Sequence, residues 1–384
     1  MNLKPEIEAC FAELKDIRQY LHSCPEVGLE TVETVAFVKN KLDDFGISYE
    51  NIGVNSLLAK VDGSEAGKTI AFRADMDALE TTEETGLPYE SKVVGRMHAC
   101  GHDGHTTTML AFARYLADHR NFKGTVLLLF QSGEEGFGGA LKVIEDGLFK
   151  KYDIDSMFGL HNWPGYAENQ IVIHHGACMA SEDRFDLIIR GKSGHASVPH
   201  LCVEPFAAVA DFIKSAQTII PRKISAHDKA VISITQVHGG SAYNIIPDEV
   251  IIRGNVRTTA DDVQDTIEES LGQLAKGIAT TYGVEAEFTY NRKHPVLINS
   301  TPEPAIKAAA RIVGEENVLT NELPAMGSED YAFYMQKTKG CFAWIGNGKD
   351  SAVIHNSKYD FNDDIILVGA TFFAEIFEEV MQQV

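Results

Sequence analysis

Apolar positions recur at helical spacing at Ile7, Phe11, Leu14, Ile17 and Leu21, so the chain is expected to open on a helix from about Leu3 to Leu21. Cys24-Pro25 ends it, and a second amphipathic helix covers roughly Thr31 to Phe45. Short apolar runs then read as strands at Ser56 to Val61, Thr69 to Arg73, Thr125 to Phe130 and Ser156 to Leu160. Helices after His102 and over Ala140 to Asp146 lie between them. Such alternation implies a mainly parallel sheet with crossover helices, in which functional groups gather at the carboxyl ends of strands.

Near Met179 the rhythm changes. Strand Phe185 to Ile189, helix Cys202 to Ile219, strands Val231 to Val237 and Val250 to Val256, helix Asp261 to Thr281 and strand Glu285 to Tyr290 follow in turn. They predict helices layered on an antiparallel sheet in the ferredoxin-like order. After His294-Pro295 the alternation resumes, with helices at Thr301 to Val313 and Ser328 to Gln336, a strand at Cys341 to Ile345 and a closing helix at Asp363 to Met381. The expected fold class is α/β. Residues 1–178 and 293–384 form a mainly parallel-sheet domain, and residues 179–292 an inserted α+β domain. A length of 384 residues suits two cores better than one.

Composition then narrows the partners. With 44% hydrophobic and 23% charged residues the chain reads as an ordinary globular protein. No apolar run is long enough to span a bilayer, and Met1 to Arg18 is a charged amphipathic pattern without a signal-peptide core, so a cytoplasmic location is expected. A formal charge of −21 without a basic stripe argues against nucleic acid and anionic membranes and leaves small substrates open. The six cysteines lack framework spacing and are expected to be reduced thiols; only Cys100 has histidines close by in sequence.

That cysteine sits in Met97 to Thr107, which reads Met-His-Ala-Cys-Gly-His-Asp-Gly-His-Thr-Thr. Ligating side chains at this density are costly to fold around unless something binds them. Cys100 and His102 alternate across a turn and can face one centre, a pairing that suits zinc and its first-row neighbours. His105, one helical turn beyond His102, reads as a ligand, a supporting group or a plain helix residue. A supporting role is favoured, because two ligands at helical spacing would draw an ion away from the strand ends. The apolar strand ending at Phe130 leads into Gln131-Ser132-Gly133-Glu134-Glu135-Gly136. Neighbouring side chains diverge, so one carboxylate can bind an ion while the other faces a water beside it, the division of labour that hydrolysis needs. A bare Glu-Glu pair is otherwise an ordinary solvated turn. His161, ending the run Met157 to Leu160, and His355, in Val353-Ile354-His355-Asn356, are each ambiguous alone. With Cys100, His102 and Glu135 they make five donors. That is too many for one tetrahedral site with an open position, and it suits two ions about 3.5 to 4 Å apart.

Nine segments occur in family order along the chain: Leu21 to Glu26, Phe72 to Leu79, Met97 to Thr107, Gln131 to Gly136, Gly159-Leu160-His161, Gly194-His195-Ala196, Asn244 to Asp248, Gly254 to Thr258 and Gly327 to Tyr331. On these the sequence resembles the amidohydrolase branch of the aminoacylase and carboxypeptidase metallopeptidase family, from the first helix almost to the end. The resemblance implies that Cys100, His102, Glu135, His161 and His355 hold two divalent ions (zinc, manganese, cobalt or nickel), that Glu134 is the general base, and that Asp75 orients a ligand. Arg73 stands where other branches carry a metal-binding histidine. The resemblance further implies that His195 donates to the developing oxyanion in a partner subunit's active site, that Asn244 lines that pocket, and that Arg257 grips the substrate carboxylate. The inserted domain would then serve as lid and dimerisation element of a homodimer or tetramer of dimers. The chain departs from its relatives at Cys202 and Glu204, where they show smaller residues and aspartate.

The expected activity is hydrolysis of the amide of an N-acyl amino acid, releasing a carboxylic acid and a free amino acid. A metallo-exopeptidase, either carboxypeptidase or dipeptidase, is the nearer alternative. A non-catalytic metal-binding dimer is the farther one, and Glu134 weighs against it, because a structural site has no use for a base.

Overall fold

The structure is a computed structural model that describes residues 1–322 and 324–381; the last three positions of the expected segment 293–384 lie outside the described residues. In chain order, helices α1 (Phe11–Ser23) and α2 (Val32–Asp44) precede strands β1 (Ser48–Ile52), β2 (Ser56–Asp62) and β3 (Glu65–Asp75). Helix α3 (His102–Asp118) and strands β4 (Lys123–Gln131), β5 (Ser156–Trp163) and β6 (Ile171–Val172) follow. Next come β7 (Glu182–Arg190), α4 (Phe206–Ala216), β8 (Ala230–Gly239), β9 (Glu249–Thr258), α5 (Asp261–Tyr282) and β10 (Glu285–His294). The chain closes with α6 (Glu303–Val313), β11 (Val318–Leu319), β12 (Gly340–Gly346) and α7 (Ile365–Val380).

These elements divide into two compact units. One is Met1–Gly176 with the later segments that begin at Ile298 and Asp330; the other is Ala177–Leu297 with Pro324–Glu329. The first unit holds an eight-stranded sheet in the order β1-β2-β4-β3-β5-β12-β6-β11. Its inner strands β4, β3, β5 and β12 run parallel, while β1, β2 and β6 pair antiparallel with their inward neighbours. Parallel strands covered on both faces become continuous apolar runs, which is why Val126 to Phe130 and all of β12 are buried. Helices α3 and α7 lie over the sheet through aromatic contacts. Phe72 of β3 meets Phe112 of α3 at 4.7 Å and Phe373 of α7 at 5.0 Å, centroid to centroid.

The second unit is a four-stranded sheet in the order β8-β9-β7-β10, with every pair antiparallel. Together with α4 and α5 this is the ferredoxin-like arrangement. Along β9 the side chains of Val250, Ile252 and Val256 alternate inward against Phe212, Ile267 and Leu271 of the two helices.

Three elements differ from their sequence pattern. The opening helix is interrupted: Pro5–Glu8 forms its own turn, Cys10 leaves helical geometry at φ −98° and ψ 2°, and α1 starts at Phe11. Helix α4 begins at Phe206 rather than Cys202, because Pro205 precedes it and the Glu204 carboxylate accepts the N–H groups of Phe206 (2.6 Å) and Ala207 (3.0 Å) as a cap. Glu204 thus has a local task. Of the helix expected over Ser328 to Gln336, only Ala332–Met335 forms. Among the described residues no helix is long and apolar enough to cross a membrane, and all six cysteines are free.

Helix α1 is tied to α3 by buried charges. Arg18 binds Asp363 and Asp360, and His22 Nδ1 lies 2.8 Å from Asp103 Oδ2 with Nε2 3.3 Å from Glu83. Burial opposes protonation of His22, but the hydrogen bond and charge of Asp103 outweigh it and raise its pKa to about 9. An unfolded chain has a histidine pKa of about 6.5, so the charged ring stabilises the fold fully below that pH, and the contribution is lost as pH rises through about 9. The gap corresponds to on the order of 3 kcal/mol. Chemical denaturation between pH 6 and 10 should therefore show declining stability, and His22→Gln should flatten that decline; an equal slope in the variant would rule His22 out as its source.

Candidate metal centre

The site forms where β3, β4 and β5 end side by side. The parallel register sets Asp75 opposite Gln131, so the stretch continuing to Asp77 lies beside the turn that carries Glu134 and Glu135. Asp77 locks that turn: its two carboxylate oxygens accept the N–H groups of Glu134 (3.0 Å) and Glu135 (3.2 Å). Cys100 and His102 flank Gly101, whose φ of 91° and tight surroundings suit glycine. A Cβ there would lie 2.3 Å from Asn162 Oδ1. His161 lies near the end of β5, two residues before its last, and His355 arrives on the loop after β12, its N–H donating to Ala99 O at 2.7 Å.

All five donors named from sequence come together. The ligand atoms of Cys100, His102 and His161 lie within 4.8 Å of one another, and so do those of Cys100, Glu135 and His355. Cys100 belongs to both groups. Glu134 joins His102 and Glu135 in a third. His161 donates from Nδ1 to its neighbour's carbonyl, Asn162 O, at 2.6 Å, which leaves the Nε2 lone pair facing Cys100 Sγ at 3.3 Å.

His105 has hydrogen-bond partners at both ring nitrogens. It donates from Nδ1 to Asp75 Oδ1 (2.6 Å) and receives Asn162 N–H at Nε2 (3.1 Å). Asp75 also accepts from Arg73 at 2.7 Å, and the Arg73 guanidinium continues to Gln131 (3.0 Å) and Asp330 (2.9 Å). Arg73 is therefore spent on holding carboxylates.

The electrostatics of the centre follow from its burial and its carboxylates. Among the described residues the fully buried His102 has no hydrogen-bond partner at either ring nitrogen; Asp77, Asp75 and Glu135 stand 3.6, 3.7 and 4.0 Å away, too far to bond. Burial lowers the His102 pKa, yet these carboxylates, Asp75 foremost, push it up to about 10. Burial, then Glu135 and Glu134, drive the Cys100 thiol well above its usual range. Burial also holds His161 neutral, with its pKa well below the usual histidine value. Unpaired nitrogens and a suppressed thiol amid four acidic side chains fit a divalent cation, which would favour the thiolate and complete the histidines.

The remaining candidates lie in the second unit. His195 and Asn244 share a two-stranded ribbon in which Ile245 pairs with His195 and Ala196 N–H donates to Asn244 O. Arg257, near the end of β9, donates to Asn255 Oδ1 at 2.9 Å and stands 3.6 Å from Glu182. Sequence reading missed Asp77, Asn162 and Asp330. Asp77 had a signal, since Asp75-Met76-Asp77 puts two carboxylates on one face of an extended segment.

A sheet-end site of this kind, rich in thiol, imidazole and carboxylate, defines a metal-centred hydrolase on an α/β framework. The model for peptidase family M20/M25/M40 matches residues 71–379, and the chain belongs to that family, as an enzyme of its amidohydrolase branch. It is 39% identical to hippurate hydrolase of Campylobacter jejuni and 36% identical to N-acetylcysteine deacetylase of Bacillus subtilis. The first alignment covers 98% of both chains; the second covers 98% of this one and 99% of the other. A crystal structure from Bacillus subtilis described as a dinuclear metal binding peptidase superimposes with a TM-score of 0.85 at 34% identity, covering 96% of this chain and 98% of that one.

Because Asp77 sets the turn that presents both glutamates, Asp77→Ala should cost 10- to 100-fold in metal affinity or turnover. Metal content after dialysis and amide-hydrolysis rates check this; wild-type values for both would show that the turn holds itself.

Proposed function

We propose that this protein is a metal-dependent amidohydrolase that cleaves the amide of an N-acyl amino acid, releasing a carboxylic acid and a free amino acid. The observation that carries the reading is the shared thiol: Cys100 stands in both three-donor groups, with Glu134 beside them. Cys100, His102, Glu135, His161 and His355 would hold two divalent ions; zinc, manganese, cobalt and nickel all suit these ligands. Hippurate and N-acetylcysteine, named for the two relatives, are both N-acyl amino acids.

Ions bound there would supply Lewis acidity and lower the pKa of a coordinated water. Glu134 takes the proton from the attacking water and returns it to the leaving amine. Its carboxylate accepts Asp330 N–H at 3.4 Å, and Asp77 fixes its backbone, so the base is held at the end of β4. Arg257 grips the substrate carboxylate and Asn244 lines the pocket.

His195 serves as the oxyanion donor across a homodimer. Its Nδ1 accepts Ser197 N–H at 3.1 Å, which places the ring proton on Nε2, and the side chain is exposed. Dimerisation through the second unit is supported by β8, an edge strand of 10 residues with exposed Val231 and Val237. Long uncovered edges of this kind are templates for pairing with another chain. The free thiols suit a cytoplasmic location.

Glu134→Ala should retain its metal and lose 10²- to 10⁴-fold in turnover, whereas Cys100→Ala should lose metal as well. An active Glu134→Ala enzyme would overturn the mechanism. Parallel assays on N-acetyl or N-benzoyl amino acids and on unblocked dipeptides decide between amidohydrolase and exopeptidase. Heterodimers of His195→Ala and Glu134→Ala subunits should regain part of the lost activity; failure to complement would argue against donation across the dimer.

A further inference from the structure

The five donors are unequally held. Cys100, His102 and His161 are 6%, 0% and 5% exposed, and the Glu135 side chain is 12% exposed, whereas that of His355 is 52% exposed. His355 also adopts the left-handed backbone region, φ 64°, where a side chain with a Cβ is strained and persists only if its surroundings fix it.

The surroundings that fix it come from the stretch between β3 and α3. Residues 76–101 contain no helix and only isolated bridge pairings, and they join Asp75 to Cys100. The stretch grips the His355 loop twice. Ala99 O receives His355 N–H, and Glu84 clamps Ser357 by a reciprocal pair: Glu84 N–H donates to Ser357 O (2.8 Å), and Ser357 Oγ–H donates to Glu84 Oε2 (2.7 Å). Glu84 is itself presented from an anchored point, since the adjoining Glu83 carboxylate accepts Ser91 N–H at 2.7 Å and faces His22. A buried helix end and strand end thus carry His102 and His161, while His355 depends on a clamp between two loops.

We propose that Glu84 is a positioning residue for His355, so that the Cys100–Glu135–His355 half of the centre binds its ion more weakly than the Cys100–His102–His161 half and in proportion to the integrity of the Glu84–Ser357 clamp. The proposal rests on reading the five donors as a two-ion centre.

Titration of metal-free protein with Mn²⁺, followed by calorimetry and by metal analysis after gel filtration, tests it. Wild type should bind two ions with separable affinities, and His355→Ala only one. Glu84→Ala and Ser357→Ala should each weaken the looser ion about tenfold without changing the tighter one or the melting temperature. Glu84→Gln, whose amide oxygen still accepts from Ser357, should behave as wild type. Unchanged binding in Glu84→Ala, or equal weakening of both ions, overturns the role of Glu84. Two ions bound normally by His355→Ala would overturn His355 as a ligand, and a single ion bound by wild type would instead overturn the two-ion reading itself.

Discussion

The first unit depends on a surplus of negative charge gathered in a largely buried place. Asp75, Asp77, Glu134 and Glu135 converge on the His102 imidazole at the ends of three parallel strands. Desolvation makes such a cluster costly unless cations compensate it. A permanent cation, Arg73, is directed to Asp75 and Asp330. His102 and His161 remain with nitrogens aimed inward, and the remaining compensation fits divalent ions.

That constraint explains how the neighbouring parts are built. Carboxylates that would repel one another are held by backbone N–H groups: Asp77 takes two from the glutamate turn, and Asp330 takes Ala140 N–H at 2.9 Å while Gln131 bridges to it. Fully satisfied polar networks of this type stiffen a site, because moving any member strands another in a low-dielectric interior. The centre is therefore rigid on its strand side and dependent on loop contacts on the His355 side. In the second unit, by contrast, the sheet buries one face against α4 and α5 and has β8 and β10 at its edges.

Much of this was legible in the sequence. Periodicity of 3.6 and 2 announced the long helices and the buried strands, and the change of rhythm near Met179 announced a second architecture. The five donors stood out because cysteine, histidine and glutamate at the ends of apolar strands have few structural uses. Periodicity misjudged elements whose ends are decided by a single contact, as where the Glu204 cap moved the start of α4 to Phe206. It also failed for Ser328 to Gln336, where Asp330 is bound by Arg73, Gln131 and Ala140, and only four residues remain helical.

By itself the sequence determined the fold class, the elements that carry the site and the cysteine, histidine and glutamate side chains that meet there, because hydrophobic pattern and ligand chemistry are local properties. Only the tertiary structure decided that Cys100 is common to both donor groups, that Asp77 holds the glutamate turn, and that Arg73 clamps carboxylates. Those facts follow from strand order and register, which set Asp75 against Gln131 and bring Asp330 to Arg73 across 257 positions of chain. No local pattern encodes such a juxtaposition; it arises when the apolar faces of distant segments are buried together.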